Sequence, residues 1–193
     1  MRKVFYSLIV ILLLSSCITG KSKPSNFYNL VSYDNSNIKI KNKKRFITNI
    51  EQVVIPAYLD RPQIITLNGE DTEFNISETN RWAEPLASSI QRTLARDIYS
   101  YMPNSIIRSS LIGVTDADYH IYVIIDKFDG RFGDKLTMNV WWSVLNKNGK
   151  ILITKNSSFE GDLKSNSYND LIKEYSKLVN QLAIEIGNKI NSL

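Results

Sequence analysis

The chain has 193 residues, of which 43% are hydrophobic and 22% charged, and carries a formal net charge of +5. A charge so mild gives no footprint for nucleic acid. One cysteine, Cys17, and one histidine, His120, exclude an intrachain disulfide and any cysteine-built metal centre, and leave little from which to assemble a catalytic base.

The N-terminus reads as a secretory signal: Arg2 and Lys3, an apolar stretch from Val4 to Leu14, then small residues before a cysteine. Eleven apolar residues are too few to span a bilayer as a helix. Leu14-Ser15-Ser16-Cys17 resembles the bacterial lipobox, so residues 1–16 are expected to be removed and Cys17 to carry the lipid. Loss of Arg2 and Lys3 lowers the net charge to +3. Ile18 follows the cysteine, not the aspartate that retains lipoproteins at the inner membrane, so the expected location is the periplasmic face of the outer membrane.

Residues 17–26 then form the lipidated N-terminus and a polar tether containing Pro24, with a reach of about 30 Å when extended. The folded domain is expected over 27–193. Lys21, Lys23, Lys39, Lys41, Lys43, Lys44 and Arg45 suit either anionic headgroups or a solvated face.

Strands are predicted at 27–31, 50–55 and 64–67, from β-branched and aromatic residues between Asn, Ser and Pro. A connection through Gly69 leads to a short arm at 73–76. The spacing predicts a helix over 83–102, with Pro85 in its first turn. Trp82, Leu86, Ile90, Leu94 and Ile98 form its apolar stripe, and Arg92, Arg96 and Asp97 point elsewhere.

Residues 118–158 alternate as an antiparallel meander. Tyr119, Ile121, Val123 and Ile125 share one face, as do Leu136, Met138, Val140, Trp142 and Val144, and Asn148-Gly149 supplies a turn. A final helix over 168–191 gathers Tyr168, Leu171, Ile172, Tyr175, Leu178, Val179, Leu182, Ile186 and Ile190 on one side. The expected class is α+β: a largely antiparallel sheet with two helices packed on one side.

Catalytic patterns are missing. His120 falls mid-strand with no G-x-S-x-G elbow, and no phosphate-cradling glycine loop occurs. The pairs Asp116/Asp118 and Asp126/Asp129 are read as solvated carboxylates beside turns in preference to glycosidase or metal pairs. No enzyme, cofactor or metal is expected.

Two stretches are distinctive: VIPAYLDRPQII at 54–65 and RWAEPLASSIQRTL at 81–94. With Phe128-Asp129-Gly130-Arg131-Phe132-Gly133 and the alternating strand after it, they resemble the PqiC (paraquat-inducible protein C) family of ABC-type transport auxiliary lipoproteins, over essentially the whole mature chain. The resemblance implies a non-enzymatic outer-membrane component of intermembrane lipid transport, partnered by an MCE-domain periplasmic tube protein and assembled as a ring-like homo-oligomer. Ile55, Val140 and Trp141 depart from the family pattern.

The same stretches nominate Tyr58, Asp60, Arg61, Pro62, Gln63, Arg81, Trp82 and Glu84 as a cluster in which Asp60 and Arg61 face Arg81 and Glu84 behind Trp82 and Pro62. Two roles stand open for it: a latch orienting loop and helix, or a rim that docks a partner. Trp141, on the wetter face of its strand, is either covered by a loop or part of an interface. A periplasmic lipid-binding module is the alternative function.

Overall fold

The computed structural model describes residues 23–38, 45–109 and 116–193. Cys17, the signal segment, residues 17–22 of the tether and most of the lysine run lie outside them. The elements in chain order are β1 (Asn26–Tyr28), β2 (Ile47–Ile50), β3 (Gln63–Asn68), β4 (Glu70–Trp82), α1 (Leu86–Tyr101), β5 (Ile106–Arg108), β6 (Tyr119–Gly130), β7 (Lys135–Asn146), β8 (Ile151–Asp162) and α2 (Tyr168–Asn191).

The α+β class is as expected, but the strands form two sheets. One has the order β1-β4-β3 and the other β5-β2-β6-β7-β8. The five-stranded sheet is mixed, because β2 lies between β5 and β6 and runs parallel to both. A parallel neighbour needs a long crossover, and the route from β2 through α1 to β5 supplies it. The meander β6-β7-β8 is antiparallel throughout.

Alternation explains the packing of the meander. Ile121, Val123, Ile125, Leu136, Met138, Val140, Trp142 and Val144 are all buried and join both helices in one core. Each such side chain contributes roughly 1.5–3 kcal/mol by leaving water. Beyond Ile125 the register of β6 against β7 slips by one residue. The bulge reverses the phase of the strand, so Phe128 faces inward where strict alternation would have put Lys127. Gly149, at φ 76°, closes the β7–β8 turn, a left-handed conformation that glycine adopts without strain.

The apolar stripe of α2 is buried as its periodicity predicts, with Tyr168 half-buried at the first turn. Its Gly187 allows close approach of α1: a Cβ there would sit 2.6 Å from the Tyr101 ring.

Helix α1 begins three residues later than its periodicity suggests, with Pro85 as the cap. A proline drives the preceding residue out of the helical region, which leaves Ala83 and Glu84 outside. The arm predicted at 73–76 is thirteen residues long in β4, since backbone pairing with β3 and β1 recruits the polar stretch on either side of it.

Asp97 also departs from expectation. It is fully buried, its carboxylate accepting from Tyr33 N at 2.8 Å and Asn180 Nδ2 at 3.1 Å. Around it the segment 31–35 is stitched to both helices: Val31 N donates to Ser176 Oγ at 3.0 Å, Asn35 N to Ser100 Oγ at 3.1 Å, and Asn35 Nδ2 to Asp97 O at 3.3 Å. Burial outweighs these hydrogen bonds and pushes the carboxyl up to about 6.

Candidate docking site

The segment 54–65 is fixed by its backbone first. Val54 N donates to Val123 O at 3.0 Å and Val54 O accepts from Ile125 N at 2.8 Å, a parallel bridge on the edge of β6. The chain then coils tightly: Leu59 N reaches Pro56 O at 2.9 Å, Asp60 N reaches Ala57 O at 3.2 Å and Arg61 N reaches Leu59 O at 2.8 Å. Leu59 is the buried plug beneath this coil, which leaves Asp60, Arg61 and Pro62 exposed.

The segment 81–85 is held from both sides. Trp82 N donates to Pro62 O at 2.7 Å, and Ala83 N donates to Tyr28 O at 2.9 Å. Trp82 is buried, its ring 6.3 Å from that of Tyr175 on α2. Gln63 and Arg81 are register partners across β3 and β4. Loop, strand end and helix start thus converge around a recess of about 320 Å³ lined by Asp60, Arg61, Pro62, Trp82, Ala83, Glu84 and Pro85.

The expected cross-link among Asp60, Arg61, Arg81 and Glu84 does not form in that pattern. Glu84 pairs with Arg92, two turns up α1 on the same side of the helix. Arg81 Nε is buried with no hydrogen-bond partner, and Arg61 is exposed. The junction is therefore held by backbone hydrogen bonds and by Trp82 rather than by ion pairs. A half-exposed pair such as Glu84–Arg92 contributes at most about 1 kcal/mol.

Tyr58 does more than its position in the motif suggested. Its hydroxyl donates to Asp129 Oδ2 at 2.8 Å and its ring stacks on Phe74 of the arm with centroids 4.8 Å apart. It thereby connects the loop to both β4 and β6. Asp129, read above as a solvated carboxylate, is 97% buried, its relative exposure being 3%, with Lys127 Nζ 3.6 Å from Oδ1. Burial and then the neighbouring carboxylate push the Tyr58 hydroxyl above its ordinary range, which keeps it protonated as a donor. Tyr175, wholly buried beneath, is raised by the same desolvation.

Asp126 is exposed, as expected, whereas Asp118 and Asp116 have individual partners. Asp118 Oδ2 accepts from Ile47 N at 2.8 Å and Asp116 pairs with Arg108 at 2.7 Å. His120 also has a partner that sequence gave no means to see: its Nδ1 lies 2.6 Å from Glu51 Oε1, which accepts from Asn49 Nδ2 at 2.7 Å. These contacts tie β2 to β6 on the sheet face opposite the helices. Among the described residues no group of three or more His, Cys, Asp and Glu side chains is placed to hold a metal, and no helix is long and apolar enough to cross a membrane.

That outer face carries Trp141, 45% exposed. Trp141 pairs in register with Ile124, and Ile124 bridges to Val54, so three exposed apolar side chains form a row across the sheet beside the half-exposed Tyr122. Trp142 points the other way. It is buried, its indole donating to Ser157 Oγ at 3.2 Å, which in turn donates to Glu185 of α2 at 2.9 Å.

The family model described as ABC-type transport auxiliary lipoprotein component matches residues 28–187. The chain belongs to this family. Two curated relatives, each named intermembrane transport lipoprotein PqiC, one from Escherichia coli K12 and one from Shigella flexneri, are 25% identical over 185 residues, covering 96% of this chain and 96% of theirs. The resemblance read from segments 54–65 and 81–94 therefore stands as PqiC membership.

Two crystal structures share the fold. One, of an uncharacterised protein, superposes with a TM-score of 0.72 at 21% identity, over 87% of this chain and 99% of the other. The second, of a protein from Xanthomonas campestris, gives 0.70 at 11% identity, over 84% and 93%. By its description the family is one of auxiliary components of transport.

Proposed function

We propose that this protein is a non-enzymatic accessory of an intermembrane lipid transport system, anchored through Cys17 on the periplasmic face of the outer membrane and docked to an MCE-domain tube protein as a homo-oligomer. The observation that carries the docking reading is the apolar row Val54, Ile124 and Trp141 on a sheet face that the helices leave uncovered. Exposed aromatic rings on a rigid strand lose little entropy on contact and anchor interfaces well. The recess at 60–62 and 82–85, rimmed by Arg61 and Glu84, supplies adjacent polar specificity, and the backbone staples on either side keep it in shape. The latch and docking readings of that motif are thus compatible: Trp82 and the main chain hold, while Asp60 and Arg61 are free to meet a partner.

Membership and coverage support the transport role, because relatives matching over 96% of their length are named for it. A carrier that encloses lipid is less well supported. Side chains from both sheets and both helices pack into one continuous core.

A photoreactive residue at position 141, activated in envelope preparations, is expected to trap a periplasmic protein partner. Trp141→Ala should abolish that association while the unfolding free energy changes by less than about 1 kcal/mol. Normal co-purification of Trp141→Ala with its partners would reject the docking face. Stoichiometric phospholipid extracted from the purified chain would favour the lipid-binding alternative.

A further inference from the structure

The edge strand β1 of the three-stranded sheet presents an exposed ring, on the opposite side of the strand from Tyr28, beside two half-buried polar side chains. Phe27, Arg81 and Gln63 are register partners across β1, β4 and β3, so their side chains share one face of that sheet. Tyr28 and Trp82 occupy the other face, toward the core. Phe27 is 65% exposed, more than any other large hydrophobic side chain among the described residues. Beside it Arg81 keeps a buried Nε with no partner, and Lys23 and Arg61 are exposed nearby in sequence and in the strand order. Asp60 is the acidic group beside Arg61, and Glu84 is already paired with Arg92.

A phenylalanine flanked by cations suits the interface of a bilayer, where the ring enters the headgroup layer and guanidinium groups meet phosphate. The position of this face relative to the anchor selects this occupant over others. Nine residues lie between Cys17 and Phe27, a leash of about 30 Å when extended. We infer that the face bearing Phe27 and Arg81 rests on the phospholipid surface and orients the domain, so that the Trp141 face on the other sheet is left for protein. The inference rests on the lipid anchor at Cys17 proposed above.

The full acylated chain can test it. Acylation consumes the Cys17 sulfur, so Ser25→Cys introduces the free thiol for an environment-sensitive fluorophore, with Asn148→Cys on the β7–β8 turn as the reference. In vesicles of phosphatidylethanolamine and phosphatidylglycerol, the label at 25 is expected to shift to the blue and to be quenched by brominated lipid, and the label at 148 is not. Phe27→Ser should remove the quenching without altering the melt. Arg81→Gln should lower the docked-to-free ratio about fivefold at low salt.

Equal quenching at 25 and 148 in protein that floats with the vesicles would overturn the docking and leave the anchor standing. Protein that does not float would remove the anchor and the docking with it. A blue shift that depends on protein concentration and not on lipid would assign the face to a second copy, and would equally overturn the inference.

Discussion

The meander with α2 and the junction of loop 54–65 with 81–85 are built on different terms. The meander is held by periodic burial, with many apolar side chains contributing similar amounts, so its geometry is over-determined. The junction is held by a few links of different kinds: backbone hydrogen bonds at Val54 and around Trp82, the Tyr58 hydroxyl on Asp129 with its ring on Phe74, and the plug at Leu59. Redundancy suits a scaffold, and a few links suit a rim whose exposed charges must be presented in one arrangement.

Substitutions should separate the two regions, and the largest effect belongs to the scaffold. Trp142→Ala empties a fully buried site and removes the indole that donates to Ser157 Oγ. It is expected to cost about 3–5 kcal/mol in denaturant titration, with hydrogen exchange accelerated across the whole meander. A loss below 1 kcal/mol would mean that the scaffold is less tightly packed than its burial indicates.

Next comes Asp97, which joins α1, α2 and the segment 31–35. Its folded pKa of about 6 lies above the ordinary 3.8, so the folded state holds the proton more tightly than the unfolded one. The stabilisation is complete below the ordinary pKa and is lost as pH rises through the folded one, about 3 kcal/mol in all. Melting temperature should therefore fall between pH 4 and 6 from this group, and Asp97→Asn should flatten that slope while keeping an acceptor for Tyr33 N. An unchanged slope in the variant would assign the dependence to other carboxylates.

The smallest effect belongs to the junction. Tyr58→Phe leaves the buried Asp129 without its donor and should cost about 1–3 kcal/mol. The change should be local, with exchange quickened in 56–62 and the meander untouched. Global unfolding at the same denaturant concentration as Trp142→Ala would erase the distinction between the regions.

Much of the scaffold was legible because alternation and helical spacing report burial directly. The inward faces of β6 and β7 and the stripe of α2 are where the sequence places them. What periodicity cannot report is a polar residue buried by its neighbours. Asp97 lies on the flank of its stripe, and Asp129 reads as solvated from its place beside a turn, whereas Tyr58 from a loop distant in sequence meets it and it is buried. The parallel pairings of β2 and the full length of β4 depend on partners distant in sequence, and no local pattern announces them. At the junction the structure brings Asp60, Arg61, Pro62, Trp82 and Glu84 around one recess. Their ion pairing differed because Arg92, two turns up α1, pairs with Glu84 in the folded chain.

The stitched segment 31–35 also bears on the order in which the chain becomes structured during synthesis. Val31 is bonded to Ser176, 145 positions downstream, and Tyr33 to Asp97, 64 positions downstream. The part made first thus waits for the part made last, since contacts so far apart in sequence close late. Until α2 has emerged, the stretch leading back toward Cys17 has no permanent seat on the domain.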